Sequence, residues 1–196
     1  MKDSKSGDNA QRDHGRIPVR RIVLTGFMGS GKTTVGPLVA ARLGWRFVDV
    51  DDVIEADTGM AITEFFARFG EASFRDCERE TIARLGAEDA MVLALGGGAI
   101  EAQVTRELLL RSPGTLVVHL HVELATTLAR CGGTEGTRPI LADQTNLAVR
   151  YERRLPLYRL AHVTIVADAL TPEQVGEAIV EAAGLRNPGG GIPTSA

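Results

Sequence analysis

The stretch that most constrains this 196-residue chain is Gly26-Phe-Met-Gly-Ser-Gly-Lys-Thr33. It fits the pattern G-x-x-x-x-G-K-[ST] at Gly26, Gly31, Lys32 and Thr33. A short β-rich run, RIVLT at 21–25, leads into it, and an amphipathic stretch at 32–43, stopped by Gly44, leads out. Glycines in such a turn let the backbone wrap round an anion with its N–H groups pointing inward. A helix starting at Lys32 adds its positive N-terminal end. The spacing therefore predicts a phosphate-binding loop, with Lys32 reaching the β- and γ-phosphates of ATP and the Thr33 hydroxyl on Mg²⁺. A glycine-rich turn with no ligand is the ordinary alternative, and the strand–loop–helix context favours the phosphate loop.

GTPases, motor ATPases and small-molecule kinases all use such a loop. The guanine-reading N-K-x-D sequence is absent, as is a hydrophobic strand ending in Asp-Glu. A small single-domain kinase remains. Hydrophobic residues make up 44% of the chain, enough for one core. The net charge of −3 exerts no general pull on nucleic acid or acidic membranes, so neither is expected as a partner and any anion site must be local. No run approaches the ~18 apolar residues of a membrane span. The N-terminal segment lacks the apolar core of a signal peptide, and the cytoplasm is the expected location. Cys77 and Cys131 have no CxxC partner, so incidental thiols are expected rather than a metal site or a disulfide.

Residues 1–17 read as a disordered polar extension and 187–196 as a Gly/Pro tail of the same kind. Between them apolar runs alternate with amphipathic ones. Strands are expected at 21–25, 45–50, 91–95, 115–121 and 163–166. Helices are expected at 32–43, 52–57, 62–69, 73–85, 105–110, 123–130, 146–159 and 171–183. Gly70 is read as a helix stop, Pro37 as tolerated near a first turn, and Pro172 as opening the last helix. The alternation predicts parallel β-α units in an α/β sandwich, with the sheet covered on both faces and ligands beyond the carboxyl ends of its strands. Three of the five strands end in suggestive residues: the glycine loop, Asp49/Asp51, and Gly96-Gly97-Gly98.

Asp49 and Asp51 alternate at the end of an expected strand and so share a side. One can hold Mg²⁺ through water, and the other can accept a hydrogen bond or a proton from a substrate hydroxyl. Asp52 reads as a helix N-cap. The Gly96–Gly98 run offers a backbone surface against which a substrate can lie. Arg75 and Glu78 share a helix face, while Arg138 sits in the polar stretch 132–146 and Arg154 in the long helix. Gathered round one cleft, the arginines would grip an anionic substrate, because guanidinium matches carboxylate or phosphate with two parallel hydrogen bonds.

In this order the motifs GFMGSGKTTVG (26–36), FVDVDDVIE (47–55), FARFGEASFRDCE (66–78), LALGGGAI (93–100), TRPIL (137–141) and RRLPLYR (153–159) resemble the shikimate kinase family over about residues 20–183. The resemblance implies MgATP-dependent phosphorylation of the 3-hydroxyl of shikimate. It implies a domain at 18–186 with a five-stranded parallel sheet of order 2-3-1-4-5, a three-layer sandwich with a mobile lid at about 132–146. ATP would lie against Gly29, Ser30, Gly31, Lys32, Thr33 and Thr34, with Arg130 on adenine and Arg138 on the phosphates. One Mg²⁺ would sit between Thr33 and Asp49. Shikimate would meet Asp51 as base, Arg75 oriented by Glu78, the run Gly96, Gly97 and Gly98, and Arg154. Lys32, Asp51 and Arg138 would be the catalytic residues, and a monomer is expected. A gluconate-kinase-like enzyme and a non-catalytic homologue that binds ATP or shikimate are the alternatives. The stretch Ala167–Leu170 lacks the basic residue that the family often places beside adenine.

Overall fold

The computed structural model describes residues 17–131 and 144–185. The expected N-terminal extension up to residue 16, the tail from 186 onward, and residues 132–143 of the expected lid, with Arg138, lie outside the described residues. Residues 144–146 already belong to a helix.

Along the chain the elements are β1 (Arg21–Thr25), α1 (Lys32–Leu43), β2 (Arg46–Asp49), α2 (Val50–Thr58), α3 (Ile62–Leu85) and β3 (Met91–Ala94). A single 3-10 turn (Ala99–Glu101) follows. Then come α4 (Gln103–Arg111), β4 (Thr115–His121), α5 (Leu124–Cys131), α6 (Gln144–Tyr158), β5 (Val163–Val166) and α7 (Pro172–Ala182). The five strands form one sheet of order β2-β3-β1-β4-β5, with every pairing parallel.

Alternation along the central strand builds the layers. Ile22 and Leu24 pack with Val35 and Val39 of α1 and Val175 and Ile179 of α7 on one face. Val23 packs with Phe65, Phe74 and Ile82 of α3 and Leu109 of α4 on the other. This is the expected three-layer sandwich. At the amino-terminal end of the sheet the buried Arg21 side chain ties three segments together. It donates to Glu88 O (2.9 Å), Thr115 Oγ1 (3.0 Å) and Asp89 Oδ1 (2.9 Å).

Some expectations need correction. The segments expected at 62–69 and 73–85 are one helix interrupted at Gly70, whose φ of 78° and ψ of 173° kink α3 rather than end it. The kink is bridged by rings: Phe74 lies 4.6 Å from Phe66 and 5.9 Å from Phe65. Pro37 lies past the first turn of α1, so it removes an N–H that would have bonded within the helix. The N-cap of α2 is Asp49, whose side chain accepts from Asp51 N at 3.0 Å, and not Asp52. β2 therefore ends at Asp49, and Asp51 belongs to the first helical turn.

Candidate active site

The carboxyl ends of β1, β2 and β3 open into one cleft of about 1350 Å³. A drug-sized ligand fills roughly 300–1,000 Å³, so this cleft has room for two molecules side by side. It is lined by the glycine loop from Met28 to Thr34, by Asp49 and Asp51, by Phe66, Arg75 and Glu78 of α3, by Gly96–Gly98, and by Arg130, Arg150, Arg153 and Arg154. Every described residue that the sequence singled out for ligand binding lines it.

The loop takes its shape from three glycines with positive φ: Gly26 (149°), Gly29 (73°) and Gly31 (93°). Gly26 is further constrained by space, since a Cβ there would stand 2.5 Å from Leu120 O in the neighbouring strand. The Lys32 ammonium is held over the loop by Gly26 O (2.8 Å) and Phe27 O (3.1 Å). Phe27 is buried against Tyr151 at 5.3 Å, edge to face, and so anchors the loop to α6. On the far side, Arg130 donates to Gly29 O (3.2 Å) and Ala167 O (3.1 Å), linking the loop to the segment after β5. Asp168, in the place where a basic residue was missed, accepts from Glu123 N (3.0 Å) and Thr126 Oγ1 (2.5 Å), at the start of α5.

Asp49 and Asp51 do converge on the cleft, though by capping geometry and not by strand alternation. Burial, helped by the neighbouring Asp49 charge, pushes the Asp51 carboxyl up to about 6, against the opposite pull of Lys32 and Arg75. Burial also raises Asp49. Glu78 is buried and likewise raised by desolvation, despite the Arg75 guanidinium 2.7 Å from its Oε2. Its Oε1 has no hydrogen-bond partner among the described residues.

Two of the three glycines do something more specific than present bare backbone. A Cβ on Gly96 would stand 2.7 Å from Asp51 Oδ1 and 2.9 Å from Glu78 Oε1. One on Gly98 would collide with the Arg75 guanidinium, and one on Gly97 would reach Arg154 Nη1 at 3.5 Å and Tyr158 Oη at 3.6 Å. Gly96 thus leaves room for Asp51 and Glu78 and Gly98 for Arg75, whereas a Cβ on Gly97 would make only ordinary contacts. Tyr158 donates to Gly97 O at 2.6 Å, and burial raises its pKa, which keeps that proton in place. Its ring stacks on the buried His119 at 5.2 Å.

Sequence reasoning missed Tyr158, Phe27, Arg153 and Glu101. Tyr158 was inside a quoted motif without a role. Glu101 pairs with Arg153 and Arg154 some fifty residues away, and no local pattern marks it.

Hard oxygen donors at Thr33 and Asp49 lining the same cleft suit Mg²⁺, and a cation would relieve the cost of ionising the half-buried Asp49. No cluster of three or more His, Cys, Asp or Glu side chains able to hold a metal occurs among the described residues. Phosphate and water oxygens would have to complete the shell, as is usual for Mg²⁺ with nucleotides. No helix among the described residues is long and apolar enough to cross a membrane.

Comparison with known proteins agrees with this geometry. The sequence model of the family "Shikimate kinase" matches residues 28–183. The shikimate kinase of Salinispora tropica is 47% identical over 166 residues, 83% of this chain and 95% of that protein. That of Moorella thermoacetica is 42% identical over 163 residues, 82% and 92%. The solved structure of the Acinetobacter baumannii shikimate kinase in complex with shikimate superposes with a TM-score of 0.78 at 35% identity, covering 85% of this chain and 93% of that one. With its phosphate loop, sheet order and cleft in place, the chain belongs to the shikimate kinase family.

Proposed function

We propose that this chain transfers the γ-phosphoryl group of ATP to the 3-hydroxyl of shikimate, giving 3-phosphoshikimate and ADP. The observation that carries the reading is the juxtaposition, in one cleft, of a phosphate-binding loop with a carboxyl group of raised pKa and two arginines suited to an organic acid.

The N–H groups of 29–34 and the Lys32 ammonium hold the phosphates, and Arg130 lies against adenine. Thr33 and Asp49 hold Mg²⁺, which when bound neutralises charge on the β- and γ-phosphates. Arg75, held by Glu78, and Arg154 take the shikimate carboxylate across the Gly96–Gly98 floor. That orientation brings the 3-hydroxyl to Asp51, which accepts its proton as the oxygen attacks phosphorus in line. Arg138, outside the described residues, is proposed to meet the phosphates when the site closes and excludes water. Most of the rate comes from positioning and charge neutralisation, since phosphoryl transfer asks little covalent chemistry of the protein.

A coupled ADP-release assay comparing shikimate, gluconate and nucleoside monophosphates tests the reading. Turnover with shikimate alone is expected. Preference for gluconate or a nucleotide, or no turnover at all, would overturn it.

Arg154→Ala is expected to raise the KM for shikimate at least tenfold and the KM for ATP less than twofold. Losing a charge-assisted pair to a carboxylate costs about 1.5–3 kcal/mol. Equal effects on both substrates would contradict the carboxylate clamp. Gly98→Ala should act on the same substrate by a different route. The added methyl displaces the Arg75 guanidinium from the buried Glu78 carboxylate, so the variant should also lose about 1–3 kcal/mol of stability. The KM for shikimate should rise several-fold. Parallel melting and steady-state measurements would separate the two effects.

A further inference from the structure

Glu101 stands on the 3-10 turn directly after the glycine floor. Its Oε1 accepts from Arg154 Nε at 2.6 Å and lies 2.6 Å from Arg154 Nη2, while Oε2 takes Arg153 Nη2 at 2.5 Å. The turn beneath it is braced, because Glu101 N donates to Gly98 O (2.9 Å) and Arg106 Nη1 donates to Ile100 O (2.7 Å) and Glu101 O (2.8 Å). The carboxylate is therefore a fixed post, and it grips Arg154 by the side of its guanidinium. Only 7% of Arg154 is exposed, and its Nη1 is turned toward Gly97.

A carboxylate beside an anion-binding arginine has two opposed effects. It orients the guanidinium, and it cancels part of the charge that attracts the substrate. Arg153 decides between them. One glutamate shared by two arginines leaves the trio at a net +1, the charge Arg154 would carry alone, so orientation is what remains. We propose that Glu101 is a positioning residue for shikimate recognition, fixing the plane of Arg154 while Arg153 supplies the compensating charge. The proposal rests on the assignment of Arg154 to the substrate carboxylate.

The test is steady-state kinetics of Glu101→Ala, Glu101→Gln and Glu101→Asp, alone and with Arg154→Ala, using shikimate and its methyl ester. Glu101→Ala should raise the KM for shikimate about tenfold, with kcat and the KM for ATP within about twofold of wild type. Glu101→Gln retains an acceptor oxygen and should recover most of that loss. Glu101→Asp keeps the charge but withdraws the carboxylate, and should raise the KM several-fold. It carries the test if the alanine variant fails to fold. The effects should vanish with the methyl ester and in the Arg154→Ala background. A KM that is unchanged or lowered in the alanine and aspartate variants, or a full effect without Arg154, would overturn the proposal. Wild-type turnover of shikimate in the same assay keeps that failure distinct from a failure of the proposed activity.

Discussion

Lys32→Ala is expected to lower kcat by about three orders of magnitude, the scale seen when one preorganised charge-stabilising donor is removed from a reacting centre. Its ammonium is the cation fixed directly over the glycine loop, between Gly26 O and Phe27 O. Alanine leaves the loop's N–H groups and the α1 N-terminus in place, so ATP should still bind, more weakly. What disappears is the charge that follows the γ-phosphoryl oxygens as the bond to the leaving ADP stretches. The carbonyls of the buried Gly26 and Phe27 also lose a donor, so the melting temperature should fall as well, an unpaired buried acceptor costing about 1–3 kcal/mol. ADP release and thermal melting would check both halves. Normal turnover in this variant would refute the phosphate-loop assignment.

Asp51→Asn is expected to lower kcat by about 10²–10⁴-fold, the usual contribution of a positioned general base, and yet to melt at a higher temperature than wild type. Both follow from one displacement, of the Asp51 carboxyl from its ordinary 3.8 to about 6. Between these values the folded protein binds more protons than the unfolded chain, so stability falls as pH rises from about 4 to 6 and stays lower above. Two pKa units correspond to at most ~3 kcal/mol, and solvent in the cleft reduces this to about 1–2 kcal/mol. Asparagine cannot ionise and avoids that cost, so at pH 7 the variant should gain about 3–6 °C in melting temperature. In wild type, kcat/KM for shikimate should rise with pH up to a pKa no higher than about 6 as the base loses its proton, since Mg²⁺ at Asp49 would offset the Asp49 charge that helps raise it. A flat profile there, or a destabilised asparagine variant, would contradict this account.

Much of the architecture was legible because its signals are local. The glycine loop, the stop at Gly44, and the strands at 115–121 and 163–166 appear where period and punctuation put them. The Asp49/Asp51 pair was found for the wrong geometric reason. A strand continuing through Asp51 and a helix capped by Asp49 both aim the two carboxyls the same way, and only coordinates separate them. The division of labour between Gly96 and Gly98 could not have been read, since an absent side chain says nothing of which neighbour fills its place. Glu101 was invisible for a related reason. An acidic residue before a mixed-charge helix looks like any solvated one until α6 folds back over it.

Arg21 gives the molecule a polarity that extends beyond its chemistry. It binds together the ends of the strands opposite the cleft, while the cleft itself is built from groups whose burial works against the fold: Asp49, Asp51 and Glu78. Tolerance to substitution should therefore divide along the strand axis. In a saturation library read both for cellular abundance and for growth that depends on the enzyme, substitutions round Arg21 should deplete both together. Substitutions of Asp51 at the opposite end should deplete growth alone, and Asp51→Asn should raise abundance.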